Sequence, residues 1–397
     1  MVKHPPEKAI IFVPGNYGSA LKKKTTGERV WLTVSEGLWG SSTLALDQDG
    51  LEISGAMELI EDGILRKVRV VPLLYGVDVY GSLLEKLENR FKGKAQIIPF
   101  SYDWRQDNFK AITELGQLVD KLLDSGTRSL SILAHSMGGL IATYYLRYGK
   151  QTPEITPELP NENWNGAQKI DRVILAGVPF RGAMSRFQHM QTGTKFGLNR
   201  TLLTAQAISS LPATYQLLPF FENSKILSKA LKPIPNVIFD PHYWIQHGWG
   251  LMNAQEIRPQ ALENRKNFTI RELERAERFL QLINLPSRQA ERMPTKLLHI
   301  CGKGRPTLGK AILMRDHEEN SGRLVFDEKG LRQSIPELSA DLLLEEGDGS
   351  LTLESTSLPQ ALEEKFQEVS FTETKTGHSD ILKDREVQQQ VFAFLDD

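Results

Sequence analysis

The stretch that decides the fold is residues 130–146, LSILAHSMGGLIATYYL. Leu130 to Leu133 is a short apolar run of the kind that forms a strand buried on both faces of a parallel sheet. It leads into Ala134-His135-Ser136-Met137-Gly138 and then, from Gly139, into the apolar series Leu140 to Leu146, which reads as a helix. A serine between such a strand and such a helix sits on a tight turn that lifts its hydroxyl above the sheet. Small residues two before and two after it make that turn sterically possible. Glycine is usual at both positions; here the first is Ala134. The helix N-terminus behind the serine favours negative charge developing beside it. The competing reading is Ser136 as a plain helix N-cap, and the strand and helix on either side weigh against it.

Outward from this turn the same rhythm repeats. Ala9 to Val13 is an apolar run closed by Pro14-Gly15, Val173-Ile174-Leu175 ends at Gly177, and Leu297 to Cys301 ends at Gly302. Between the runs, Phe109, Ile112, Leu115, Val119, Leu122 and Leu123 recur at steps of three and four, as do Leu83, Leu84, Leu87 and Phe91. Both patterns predict amphipathic helices. Val387, Val391, Phe392 and Leu395 predict a C-terminal helix capped by Asp384. Strands alternating with helices imply an α/β fold with a mostly parallel sheet. Residues 31–75 and 183–293 break the rhythm. They are read as a lid or membrane-docking insertion and a larger cap, set on a core made of 1–30, 76–182 and 294–397.

Composition narrows the function. The 397 residues carry 48 Lys+Arg and 49 Asp+Glu, a net charge of −1 that argues against a nucleic-acid binder. Hydrophobic residues make up 40%, enough for a sizeable core. A single cysteine, Cys301, excludes an intramolecular disulfide and a cysteine-based zinc cluster. With no signal-peptide core and no 18-residue apolar run, the expected address is the cytoplasm.

A nucleophilic serine needs a histidine base, and the base needs a carboxylate, in this arrangement in the order Ser, Asp or Glu, His. Of the eight histidines only His378 lies in the last strand-to-helix connection, in Thr376-Gly377-His378-Ser379 after Glu368-Val369-Ser370-Phe371. Asp348, in Glu346-Gly347-Asp348-Gly349-Ser350, suits the carboxylate because flanking glycines let it turn inward. Asp341, Asp327 and Glu346 are the alternatives. Two backbone N–H groups must meet the oxyanion. Met137, following the serine, supplies one. The loop Val13-Pro14-Gly15-Asn16-Tyr17-Gly18 supplies the other, through Asn16.

These pieces together resemble the lecithin:cholesterol acyltransferase family, which includes lysosomal phospholipases and bacterial relatives, on an α/β-hydrolase core. The matching segments run in family order: Val13 to Gly18, Tyr102-Asp103-Trp104-Arg105, Ala134 to Gly138, Gly177-Val178-Pro179-Phe180, Gly347 to Ser350 and Gly377-His378. The cap adds Leu217-Leu218-Pro219. The resemblance implies Ser136, Asp348 and His378 as a catalytic triad, and Asn16 and Met137 as oxyanion donors. Tyr17, Phe180 and Arg181 would bind substrate. Phe180-Arg181-Gly182 stands where the family tends to have Trp-Gly-Gly.

The function expected is a serine-dependent lipid acyl hydrolase or O-acyltransferase working through an acyl-enzyme, with no metal and no organic cofactor. The alternative is a carboxylesterase on non-lipid esters, favoured by the polar residues that dilute 31–75. The expected partner is a lipid ester. Any peripheral membrane contact should be weak, through Trp31, Leu38 and Trp39 as exposed anchors and Lys22-Lys23-Lys24 as a local basic run. Other signals are set aside. Gly304 to Lys310 spells most of a phosphate loop, but Ala311 replaces the Ser or Thr and Pro306 removes an N–H. His242 and His247 are five apart, off the step that pairs ligands on a helix.

Overall fold

A computed structural model describes residues 7–31, 43–71, 75–151, 160–196, 199–253, 257–315 and 322–396. Its centre is a six-stranded sheet built from β1 (Lys8–Val13), β2 (Ala95–Pro99), β3 (Ser129–His135), β4 (Arg172–Ala176), β5 (Met293–Gly302) and β6 (Phe366–Thr374). The strand order is β6-β5-β4-β3-β1-β2, and every neighbouring pair is parallel. The middle strands are buried over nearly their whole length because helices cover both faces.

On one face lie α1 (Gly81–Arg90) and α6 (Arg385–Asp396), burying Leu83, Leu84, Leu87, Val387, Val391 and Leu395 against Ile10, Leu133 and Ile300. On the other lie α2 (Asn108–Asp124) and α3 (Met137–Tyr148). The apolar spacing that predicted α2 is its buried face, and its N-cap Asp107 accepts from the Phe109 N–H at 2.9 Å. The expected cap of α6 is made: Asp384 Oδ1 accepts from the Glu386 N–H at 2.8 Å and from the Val387 N–H at 3.2 Å.

The strand order reverses between β1 and β3, and in open parallel sheets the crevice at such a point, beyond the carboxyl ends of the strands, is where ligands bind. Val13 pairs in register with Ala134. The loop after β1 and the turn holding Ser136 therefore leave the sheet side by side.

The peripheral segments are joined differently from the expected division. Leu59–Ile64 pairs with Ser19–Lys23, so the antiparallel sheet under the first insertion recruits residues from before position 31. Ile226–Ser228 of the cap pairs with Ala311–Arg315, so part of 294–397 belongs on the cap side. The longest cap helix, α5 (Pro259–Asn284), packs on the core, with the Phe279 ring 5.4 Å from Phe109 and 5.8 Å from Tyr144. Short β-pairings between distant segments leave little periodic trace, which is why the boundaries did not show.

Trp31 is not an exposed anchor. It is 3% exposed, donates from Nε1 to the Tyr17 carbonyl at 3.0 Å, and packs against Tyr17 and Trp104 at 5.4 and 5.5 Å. An indole burying this much surface contributes more inside the fold than at its edge. Leu38 and Trp39 lie outside the described residues. The basic run is neutralised locally: Lys22 pairs with Asp62, Lys23 with Glu28 and Lys24 with Glu58. Among the described residues no helix is long and apolar enough to cross a membrane, and no cluster of side chains suits a metal ion.

Candidate active site

Ser136 has φ 53° and ψ −126°, a left-handed backbone that non-glycine residues avoid and that persists only where surrounding contacts fix it. Here its N–H donates to the Ala176 carbonyl at 2.9 Å and its own carbonyl accepts from Gly139 N–H at 2.8 Å. Space after the serine is minimal. A Cβ on Gly138 would lie 2.4 Å from the Pro14 carbonyl oxygen, and one on Gly139 would lie 2.1 Å from Val178 Cγ2. A Cβ on Gly15 would meet the Ser136 Cβ at 2.8 Å. Of the two expected small positions, Gly138 thus lets α3 start against the end of β1.

The other two residues arrive from the far side of the sheet. His378 opens a short 3₁₀ turn, His378–Lys383, after β6. Its Nε2 is 3.0 Å from Ser136 Oγ and its Nδ1 2.8 Å from Asp348 Oδ2. Asp348 does not directly follow a central strand. The chain leaves β5 at Gly302 and returns through Leu344–Gly347, so that a Cβ on Gly302 would touch the Asp348 Cβ at 2.6 Å. Asp348 is 2% exposed. Burial alone raises its carboxyl, but the hydrogen bonds from His378 and from the Leu351 and Ser350 N–H groups outweigh this and hold it below the ordinary carboxylate value. An ionised Asp348 accepts only, so His378 Nδ1 carries the proton and Nε2 presents its lone pair to the Ser136 hydroxyl.

The alternative carboxylates are placed elsewhere. Asp327 caps the helix Glu328–Ser334, Asp341 meets Ser339, and Glu346 accepts from the Gly304 N–H.

A cavity of about 550 Å³ opens over Ser136 and His378. Asn16 and Tyr17 line it, beside Gly15 and Gly18. Met137 is fully buried as the first residue of α3, where backbone N–H groups have no intrahelical acceptor. Phe180 and Arg181, expected at the substrate, are not among the residues lining this cavity. Phe180 is fully buried, 6.0 Å from the His299 ring. Arg181 reaches away to the Glu354 and Ser357 carbonyls at 3.2 and 2.9 Å. The expectation came from the resemblance; in the structure the chain turns immediately afterwards at Gly182, with φ 68°.

Two tyrosines fix the loop after β1: Tyr102 of the family-like segment, and Tyr80, which sequence reasoning passed over. Tyr102 donates to the Pro14 carbonyl at 2.8 Å, and Trp104 of the same Tyr-Asp-Trp-Arg segment donates to the Ser19 carbonyl at 3.1 Å. Tyr80 accepts from Gly15 N–H at 3.1 Å and lies 2.8 Å from His135 Nδ1; His135 Nε2 is 3.2 Å from the His378 carbonyl. A carbonyl only accepts, so Nε2 donates there. Burial lowers His135 to about 3, keeping it neutral, so its Nδ1 accepts from the Tyr80 hydroxyl. This buried wire joins the loop of Asn16 to the loop of His378.

Comparison with known proteins agrees with this architecture. A chain of the Tle4–Tli4 complex superposes with a TM-score of 0.56 over 98% of both chains at 14% identity, a likeness of fold. The mature Bacillus licheniformis lipase BlEst2 aligns over 100% of this chain and 95% of its own, with TM-score 0.36 and 14% identity. An uncharacterised protein of Saccharomyces cerevisiae, YJR098C, is 28% identical over 142 residues, 34% of this chain and only 20% of the yeast protein. On its mostly parallel α/β fold the chain carries a match to the lecithin:cholesterol acyltransferase family over residues 71–244, a span that holds Ser136 and Met137.

Proposed function

We propose that the protein is a serine-dependent acyl hydrolase or O-acyltransferase acting on lipid esters. The observation that carries the reading is the continuous hydrogen-bonded line from Ser136 Oγ through His378 to Asp348; the family match supports the acyl-ester substrate. His378 Nε2 takes the Ser136 proton as Oγ attacks the acyl carbonyl. The N–H groups of Asn16 and Met137 hold the oxyanion. His378 then protonates the departing alcohol, leaving an acyl group on Ser136. Water, or a second alcohol, is deprotonated by His378 and releases the acyl group as acid or as new ester. We place the enzyme in the cytoplasm, in keeping with its single cysteine.

The burial of Trp31 and the pairing of the Lys22–Lys24 run favour the second reading, a carboxylesterase on non-lipid esters. Mass spectrometry of products from a mixed phospholipid extract, with and without an added alcohol, tests both. Released fatty acid with lysolipid supports hydrolysis, and a new alkyl ester supports transfer. Neither product, with short soluble esters still cleaved, establishes the second reading instead.

A further inference from the structure

Among the described residues that line the cavity over Ser136 there is no Asp, Glu or Lys, and Arg186 is the one arginine. Several guanidinium groups on this molecule meet a carboxylate, as those of Arg29, Arg66, Arg105, Arg147 and Arg275 do. Arg186 meets none among the described residues. Its Nη1 donates to the Tyr17 hydroxyl at 3.0 Å, and its guanidinium carbon lies 4.9 Å from the centre of the Tyr17 ring. A guanidinium has five N–H donors, so this contact leaves most of them for another acceptor.

Its setting adds positive potential. Arg186 is the third residue of α4 (Met184–Thr192), whose first turn holds no acidic residue. A cation at that end adds to the helix dipole instead of offsetting it. Tyr17 is held firmly, at φ 66°, between Trp31 and Trp104 at 5.4 and 4.6 Å. One turn along α4, His189 also lines the cavity, with Nδ1 buried and without a hydrogen-bond partner. Burial and the charge of Arg186 lower it to about 4, so it stays neutral and adds no second cation. A partly desolvated charge without a counter-ion is unfavourable, and an anion entering the cavity removes that penalty.

We propose that Arg186 forms an anion subsite of this cavity, so that the preferred ester carries a fixed negative charge, a phosphodiester or a carboxylate, close to its scissile carbonyl. The proposal rests on reading Ser136 as the nucleophile. It adds that substrate choice is made by a charge, where Phe180 and Arg181 stand away from the cavity.

The test compares kcat/KM on matched monomeric esters. One arm sets dihexanoyl phosphatidylglycerol against dihexanoylglycerol; the other sets p-nitrophenyl hydrogen glutarate against p-nitrophenyl pentanoate. The native enzyme should prefer the charged member in at least one arm, and the responding arm tells phosphodiester from carboxylate. Arg186→Gln should reduce that preference by about ten- to a hundredfold, the scale of one charge-assisted hydrogen bond. Arg186→Lys should keep part of it. Tyr17→Phe, which leaves the charge in place, should keep most of it. No preference for either charged ester, or a preference that survives Arg186→Gln, overturns the proposal. So does a loss in Tyr17→Phe as complete as in Arg186→Gln, because Arg186 would then only be bracing the Tyr17 loop. Calorimetric binding of intact dihexanoyl phosphatidylglycerol or hydrogen glutarate ester to Ser136→Ala separates the two readings. Binding at least tenfold weaker with Arg186→Gln added supports the subsite even if turnover or serine labelling is absent. Binding indifferent to Arg186 in both arms sinks it.

Discussion

At the scale of single residues, the proposed mechanism turns on the tautomer of His378, which Asp348 holds through the Nδ1 contact at 2.8 Å. Asp348 Oδ1 accepts from the Ser350 and Leu351 N–H groups at 2.8 and 2.7 Å. In Asp348→Asn the amide oxygen would keep those two bonds and the amide NH₂ would face His378 Nδ1. The ring would then carry its proton on Nε2, pointing at Ser136. The expected loss is about 10³–10⁴ in kcat with the fold intact, whereas Glu346→Gln should cost far less; the reverse ranking in steady-state assays would move the role to Glu346. Ser136→Ala should abolish fluorophosphonate labelling and lower kcat by roughly 10⁴–10⁶, and turnover above a tenth of native in a clean preparation would reject the nucleophile. Tyr80→Phe keeps the ring contact with Phe12 at 4.9 Å but removes the acceptor of Gly15 N–H and the donor to His135. Two buried groups lose partners, at about 1–3 kcal/mol each. Urea unfolding should show that loss, and kcat should fall about tenfold with KM little changed; an unchanged kcat would mean that the wire serves stability alone. The three residues joined by hydrogen bonds were legible in sequence because a strand-turn-helix serine and a Gly-flanked histidine and aspartate carry local signals. Tyr80 and Arg186 were not, since a partner 55 residues away in the chain, or one 169 residues away as Tyr17 is from Arg186, has no local pattern.

At the scale of elements, the turn after β3 works because two chain ends can touch. The central strands and α2, α3 and α6 were readable from apolar period and from the Gly or Pro that closes each run. The pairing of 19–23 with 59–64 and of 226–228 with 311–315 was not, because short edge pairings depend on tertiary neighbours more than on their own residues. The Tyr102-Asp103-Trp104-Arg105 segment marks the same limit: its residues read as a family signature, and the structure gives them the task of bracing the loop after β1 and the first insertion. Arg105 pairs with buried Asp103 at 2.9 Å and donates to the Leu59 carbonyl at 3.1 Å. Gly138→Ala is the sharpest test of the element contact. Its methyl group would meet the Pro14 and Val13 carbonyl oxygens at 2.4 and 2.6 Å, so either α3 or the Asn16 loop must move. Overpacking of this kind costs about 1–3 kcal/mol. A displacement that separates Asn16 from Met137 should reduce kcat by about 10²-fold, the scale of losing one oxyanion donor. A variant with native kcat would show that the loop bends without disturbing the donors.

At the scale of the whole molecule, two buried histidines and one half-buried histidine bear on acid stability, and an arginine ties α5 to α3. Burial lowers His135 to about 3, His189 to about 4 and His299 to about 4. Each is neutral when folded and titrates near 6.5 when unfolded. Below pH 6.5 the unfolded chain therefore binds more protons, so stability is complete above that value and falls as pH drops toward 4. Each histidine removes up to about 1.4 kcal/mol per pH unit, so the three together should lower the unfolding free energy by about 4 kcal/mol at pH 5.5 relative to pH 7.5. A flat urea-unfolding profile over that range would contradict the assignment. The tie is Arg147 of α3, fully buried and paired with Glu162 at 2.6 Å. It also donates to the Leu282, Ile283 and Leu285 carbonyls at 3.0, 2.8 and 2.7 Å, satisfying the C-terminal end of α5, where helix carbonyls lack internal donors. Arg147→Met leaves Glu162 uncompensated and these carbonyls without their cation, a loss of about 3–5 kcal/mol. Pairing it with Glu162→Gln removes the stranded charge, so the double variant should recover part of the loss while the α5 carbonyls stay bare. A double-mutant cycle by urea unfolding measures the split. Full recovery would assign the whole effect to the ion pair, and no recovery would assign it to the capping of α5 by the core.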